Sequence, residues 1–132
     1  MTTRNELLGH RESSMTFAGE LSFLRRKVTQ DISNADIVVS GIPFDSATTF
    51  RPGARLGPQA IRAASVQLAE LAEHAFPSDV NLFTDLAIAD YGDCELPSAY
   101  PAQVVERIFN HAQKLLLHDV MMISLGGDHF VT

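Results

Sequence analysis

Three short apolar runs, separated by two segments of helical periodicity, constrain the fold of this chain more than any other feature. The runs lie at residues 37–39, 86–90 and 120–125, and each has the length of a buried strand. The helical segments between them lie near residues 58–73 and 101–118. Strands that alternate with helices form parallel βαβ units with helices over the sheet. The pattern therefore predicts an α/β protein with a mainly parallel sheet.

Each helical segment carries apolar residues at spacings of three and four, which is typical of one buried helix face. The first stripe consists of Ile61, Ala64, Leu68 and Leu71. The second consists of Val104, Ile108, Ala112 and Leu115. Gly57 and Pro58 precede the first stripe, and proline suits a helix start because its missing N–H would have no partner there. We expect the first stripe to lie in the core.

Small or acidic residues follow all three predicted strands, where ligands of parallel sheets usually bind. This placement puts Asp45, Asp93, Asp128 and His129 along one rim of the sheet. Glycine and aspartate also build ordinary loops, and that interpretation stays open for Asp45 and Asp93. A functional role is favoured for Asp128 and His129, since the preceding Gly126–Gly127 pair allows a close backbone approach and histidine can coordinate a metal.

Composition and charge exclude several classes of protein. The net charge is −6, and the acidic residues are concentrated after residue 30, which disfavours binding to a phosphate backbone and is compatible with a cationic small molecule. No apolar run approaches the roughly 20 residues needed to cross a bilayer, and we see no secretory signal. The single Cys94 fits a reducing compartment. We therefore expect a cytoplasmic protein with no nucleic-acid or membrane partner.

Four strings occur in order along the chain: GIPFD from residue 41, RPGARLGPQAIRAAS from residue 51, YGDC from residue 91 and LGGDHFVT from residue 125. Together they resemble the ureohydrolases, the arginase and agmatinase family. The resemblance covers nearly everything from residue 35 onward. It implies an arginase-like three-layer α-β-α fold, incomplete in this chain. On this basis residues 1–34 are predicted to be an N-terminal arm and residues 35–132 the N-terminal part of the α/β domain.

The resemblance is closest to the agmatinase side of the family, in the string TTFRPGARLGP and in the residues after His129. It implies hydrolysis of the guanidinium group of agmatine to putrescine and urea at a binuclear Mn²⁺ site, in a homo-oligomer. The histidine of Gly-Gly-Asp-His is a manganese ligand in the family, which assigns that role to His129. Asp128 is implied to support the site without binding metal. A guanidinobutyrase or another ureohydrolase is the alternative.

The family's later motifs, Asp-Ala-His-x-Asp and Asp-x-Asp, do not occur in these 132 residues. Those motifs supply most of the metal ligands, so we expect the chain alone to be inactive. Four ligands hold structural zinc by roughly 10–16 kcal/mol. One ligand's share corresponds to a dissociation constant on the order of millimolar, and manganese binds more weakly than zinc. A non-catalytic interaction fragment stays open, whereas a nucleotide-binding module is disfavoured by the absence of G-x-G-x-x-G and G-x-x-x-x-G-K-[ST] strings.

The remaining polar residues are predicted to be structural. The histidines without ligand spacing, His10, His74, His111 and His118, are expected to lie at the surface or at helix ends. Cys94 is expected to be a buried, inert thiol, because its sequence neighbours include no cation that would lower its pKa. Arg51 and Arg55 are expected to form subunit contacts or an internal salt bridge. The basic string at residues 25–27 is expected to be a solvated stretch of the arm.

Overall fold

A parallel sheet with helices on both faces forms the framework of the computed structural model, which describes residues 1–9, 17–71, 81, 83–97 and 101–132. The strands are β1 (Lys27–Val28), β2 (Ile37–Ile42), β3 (Ile88–Asp93) and β4 (Met121–Gly126). The α-helices are α1 (Arg4–Leu7), α2 (Gly57–Leu68) and α3 (Val104–Leu116). Within these described segments, no helix has both the length and the apolarity needed to cross a membrane.

The strand order across the sheet is β1-β3-β2-β4, and every neighbouring pair is parallel. The predicted parallel α/β architecture is confirmed. The three predicted strands correspond to β2, β3 and β4, whereas the two-residue β1 was not predicted. Since β2 lies between β3 and β4, the carboxyl ends of these three strands meet at one edge of the sheet.

Alternating residues of β2 divide the core into two layers. Val38 packs on the face that holds Leu115 of α3, together with Ala89 and Tyr91 of β3. The next residue, Val39, points to the opposite face. Helix α2 contacts β2 and β4 and packs against the turn at Phe23–Arg25. Helices therefore cover both faces, and the three-layer prediction is confirmed.

The two helices differ in how well their apolar stripes predict burial. In α3, Val104 and Leu115 are buried as expected. In α2 the predicted stripe is wrong, because Ile61, Ala64 and Leu68 are exposed. The side chain of Leu71 lies outside the described residues. The face of α2 that packs on the protein instead carries Pro58, Arg62 and Ser65, with Ala69 just beyond the helix.

The basic string at residues 25–27 is not solvated, and that prediction is wrong. Arg25 and Arg26 are buried, and Lys27 begins β1. The Arg26 guanidinium lies 3.9 Å from the centre of the Phe83 ring, a cation–π contact that compensates part of the loss of hydration. Residues of the first 34 thus join the core, while the domain boundary at residue 34 stays a prediction.

We expect the isolated 132-residue chain to self-associate through strand β4. This strand lies at one edge of the described sheet, and its residues Met121 and Ile123 are 64% and 37% exposed. An open edge with apolar side chains is a template for pairing with another chain. Light scattering across a concentration series measures the effect. Ile123→Lys places a charge on the edge and should reduce association, whereas a stable wild-type monomer at high concentration would contradict the prediction.

Candidate active site

The segments that follow β2 and β4 run side by side at the carboxyl edge of the sheet. Gly127 N–H donates to the Ile42 carbonyl at 3.3 Å, and Asp128 N–H donates to the Phe44 carbonyl at 2.8 Å. A Cβ on Gly127 would overlap the Phe44 carbonyl oxygen. The close approach that the glycine pair permits is therefore an approach to the backbone after β2, which fixes the end of β4 against its neighbour.

The Asp128 carboxylate is engaged by backbone and hydroxyl donors on both of its oxygens. Oδ2 accepts from the Ala47 N–H at 3.1 Å and from the Thr48 hydroxyl at 3.3 Å. Oδ1 accepts from the Phe130 N–H at 3.0 Å and so caps the short 3₁₀ turn His129–Val131. The supporting role that the family resemblance implies for Asp128 stays a prediction.

His129 is the first residue of that turn, and its side chain is exposed. Among the residues that the structure describes, none forms a hydrogen bond with its imidazole ring. Its main-chain carbonyl accepts from the Thr132 hydroxyl at 2.8 Å. The ring is therefore available to a ligand at the sheet edge, and the metal-binding role of His129 stays a prediction.

Asp45 belongs to the same edge but organises a loop. It is 2% exposed, and its carboxylate accepts from the Gly53 N–H at 2.7 Å and the Arg55 N–H at 3.2 Å. The Arg55 guanidinium also donates at 2.6 Å and, with these backbone N–H groups, holds the pKa of Asp45 at about 2. The loop-building interpretation of Asp45 and the predicted internal salt bridge of Arg55 are both confirmed. Arg51 lies near the loop tip, with its guanidinium 5.0 Å from the Phe50 ring.

A β-bulge turns Asp93 toward helix α2. The register between β2 and β3 shifts after Val39, so that Val39 pairs with Asp90 while Ser40 pairs with Gly92. Gly92 has φ of +89°, a backbone conformation that glycine adopts at little cost. In a regular strand, residues three apart point to opposite faces. The extra residue reverses this alternation, and both Asp90 and Asp93 therefore reach α2.

The group that both aspartates bind is Arg62 of α2. Its Nε and Nη2 donate to the two oxygens of Asp90 at 2.8 and 2.9 Å, and its Nη1 donates to Asp93 at 2.6 Å. Burial alone would lower the pKa of Arg62, but the hydrogen bonds to the two carboxylates outweigh it and raise the pKa. Asp93 therefore belongs to a structural ion cluster. Sequence reasoning missed the cluster, because Arg62 shares the RPGARLGPQAIRAAS string with Arg51 and Arg55 and nothing in that string distinguishes it from them.

The other predicted structural residues have separate positions. His111 is half-buried within α3 and not at the surface or a helix end as expected: its Nε2 lies 2.7 Å from the hydroxyl of the buried Ser40, and burial lowers the pKa of this histidine. Cys94 is buried, and burial raises the pKa of its thiol, as expected for an inert side chain. His118 is exposed just beyond α3. The remaining two histidines, His10 and His74, lie outside the described residues.

These contacts decide how far the chain fits a metal ion. In the part of the chain that the structure describes, no group of three or more histidine, cysteine, aspartate or glutamate side chains could hold one. The carboxylates of Asp45 and Asp93 are paired with arginines, and that of Asp128 accepts hydrogen bonds from its surroundings. His129 fits the role of one ligand, but the described residues do not complete a metal site.

Comparisons with known proteins place this framework among related enzymes. A model of the arginase family matches residues 35–132. An agmatinase from Chromobacterium violaceum is 50% identical over 117 residues, which are 89% of this chain and 36% of that protein. A crystal structure of a hypothetical agmatinase from Burkholderia thailandensis superposes with a TM-score of 0.87 at 50% identity, covering 95% of this chain and 38% of that one.

A more distant solved structure has the same fold. The proclavaminate amidino hydrolase from Streptomyces clavuligerus superposes with a TM-score of 0.79 at 30% identity, over 89% of this chain and 38% of that one. The chain therefore spans little more than a third of the length of these relatives.

Proposed function

Because this chain belongs to the arginase family, we propose that the protein of which it forms a part is an agmatinase-type ureohydrolase. It would hydrolyse the guanidinium group of agmatine and release putrescine and urea. The observation that carries the proposal is the 50% identity to an agmatinase across 89% of the chain. The position of His129, exposed at the carboxyl edge of the parallel sheet, adds independent support because ligands of such sheets bind there.

We propose that His129 supplies one nitrogen ligand to a binuclear manganese centre and that the other ligands come from sequence outside these 132 residues. A guanidinium carbon is stabilised by resonance, so a neutral water molecule attacks it too slowly. When bound, manganese lowers the pKa of water and so supplies the hydroxide that this carbon requires. The role of the present chain is to hold the His129 ring at the sheet edge.

The chain alone is proposed to be inactive, for a reason that its contacts support. Asp45 and Asp93 each bind an arginine, and the Asp128 carboxylate accepts hydrogen bonds on both of its oxygens, so these three carboxylates of the described edge are already engaged. A single exposed imidazole holds a divalent ion only at concentrations on the order of millimolar.

We expect the complete protein to turn over agmatine faster than arginine. The acidic body of the chain does not repel a dication, and the 50% identity is to an agmatinase. Urea release measured side by side on agmatine, guanidinobutyrate and arginine tests the assignment. Fastest turnover of guanidinobutyrate would favour the guanidinobutyrase alternative, and fastest turnover of arginine would exclude an agmatinase.

Two further properties belong to the same proposal. We propose that the complete protein is a homo-oligomer, as the family resemblance implies. We also propose that it acts in the cytoplasm, where a buried unpaired thiol such as that of Cys94 stays reduced.

A further inference from the structure

We propose that Asp128 is a positioning residue whose carboxylate fixes the turn that carries His129 relative to the segment after strand β2. The effect of Asp128 on manganese binding rests on the proposed function, whereas its effect on the position of the turn rests on the described contacts alone. We use the name carboxylate clamp for three parts that contact one another: residues 44–48 after β2, the Asp128 carboxylate and the turn His129–Val131.

The two oxygens of Asp128 serve different segments. Oδ2 binds Ala47 and Thr48 in the loop after β2, and Oδ1 binds the Phe130 N–H in the turn that begins at His129. The donors at Ala47 and Phe130 are far apart in sequence, so one planar group joins two backbone segments with no covalent link nearby. A shift of the loop would therefore move the turn with it.

The remaining contacts of the clamp do not depend on the Asp128 side chain. The backbone bonds from Gly127 to Ile42 and from Asp128 to Phe44 keep the two segments adjacent. The rings of Phe44 and Phe130 also pack with their centres 5.3 Å apart. Loss of the carboxylate should therefore loosen the orientation of the turn while the sheet stays folded.

The loop that the clamp holds is closed at its other end as well. Asp45 accepts hydrogen bonds from Gly53 and Arg55, so the segment of residues 45–55 begins at Asp45 and returns to the same carboxylate. Groups that orient a metal ligand without touching the metal are worth tenfold to a hundredfold in metal affinity. Asp128 contacts the turn that carries His129 through the Phe130 N–H and does not contact the ring, so it would act on the ligand through the backbone of the turn.

The test uses Asp128→Asn in the complete protein. An asparagine keeps one acceptor oxygen but turns an amide NH₂ toward the donors of the other segment, so one half of the clamp must open. Amide hydrogen exchange in the metal-free protein should become faster in residues 44–56 and 124–132. The dissociation constant for Mn²⁺ should rise about tenfold to a hundredfold. Saturating manganese should restore most of the urea release.

Asp31→Asn is the matched control, because Asp31 also accepts a backbone N–H, from Thr2 at 2.5 Å, and a hydroxyl, from Ser33 at 2.7 Å, but does so beside the N-terminus. It should leave the manganese affinity unchanged. Thr48→Val removes one donor from Oδ2 while the Ala47 N–H remains, so it should produce a smaller shift than Asp128→Asn.

Each outcome decides one part of the inference. Unchanged exchange in residues 44–56 of Asp128→Asn would overturn the clamp, and unchanged manganese affinity would overturn its effect on His129. A wild-type protein that binds manganese but hydrolyses no guanidino compound would remove the proposed function, while the affinity shift still supports the positioning role. A wild-type protein that binds no manganese would overturn the metal role of Asp128, and the exchange measurement would still decide the clamp.

Discussion

Replacing Arg62 by alanine is expected to lower the free energy of unfolding by about 3–5 kcal/mol. The Arg62 and Asp90 side chains are only 7% and 1% exposed, so Asp90 would be left as a buried charge without the guanidinium that neutralises it. Asp93 would lose the same partner. Urea denaturation followed by circular dichroism measures the change. The proteins with arginine and with alanine at position 62 are compared, and both carry Ile123→Lys to limit association.

Arg4→Ala is the control for this experiment. The Arg4 guanidinium binds both oxygens of Asp36 at 2.7 and 2.6 Å, but the arginine side chain is 48% exposed. Water and salt screen such a pair, and its loss should cost far less than the loss of Arg62. Equal costs for the two alanine variants would show that burial is not what makes the Arg62 cluster important.

Replacing His129 by alanine in the complete protein should reduce urea release by at least about a hundredfold, because a direct ligand matters more than the outer partners whose loss costs tenfold to a hundredfold. The manganese content should fall in the same variant. Both are measured on the purified protein, by urea assay and by elemental analysis.

In the 132-residue chain, His129→Ala should change manganese content very little, since one ligand holds almost none. His118→Ala is the matched control in the complete protein, because His118 is also exposed but lies beyond the end of α3. Full activity of the long His129→Ala protein would show that this histidine is not a ligand. Tight manganese binding by the short wild-type chain would show that these residues build a site of their own.

Periodicity of apolar residues predicted the strands and α3 because the residues that these elements bury, such as Val38, Leu115 and Leu125, are apolar. It failed for α2, where the buried face is organised by an arginine. The helix buries Arg62 because two carboxylates of β3 bind its guanidinium. Ile61 and Leu68 are therefore exposed to solvent. A pattern that counts only apolar residues therefore selects the wrong face, because the energy of a buried ion cluster depends on partners from a distant strand.

The rim of candidate site residues was predicted correctly in position and only partly in role. Parallel topology places Asp45, Asp93, Asp128 and His129 at one edge, as expected from the strand ends. The role of each aspartate depends on which hydrogen-bond donors contact its carboxylate. The bulge at Gly92, which turns Asp93 toward α2, leaves no pattern in the sequence that would distinguish it from an ordinary strand end.

The loop after β2, which Asp45 and Asp128 hold by hydrogen bonds, has a consequence for protein engineering. Asp45 and Asp128 hold its two ends, while Phe50 and Arg51 near its tip are exposed. We therefore expect that the tip can be exchanged as a cassette, with its length and chemistry varied in a library, while both anchoring aspartates are kept. Because one of the anchors, Asp128, directly precedes His129, we expect each new tip to be presented at the same edge of the sheet.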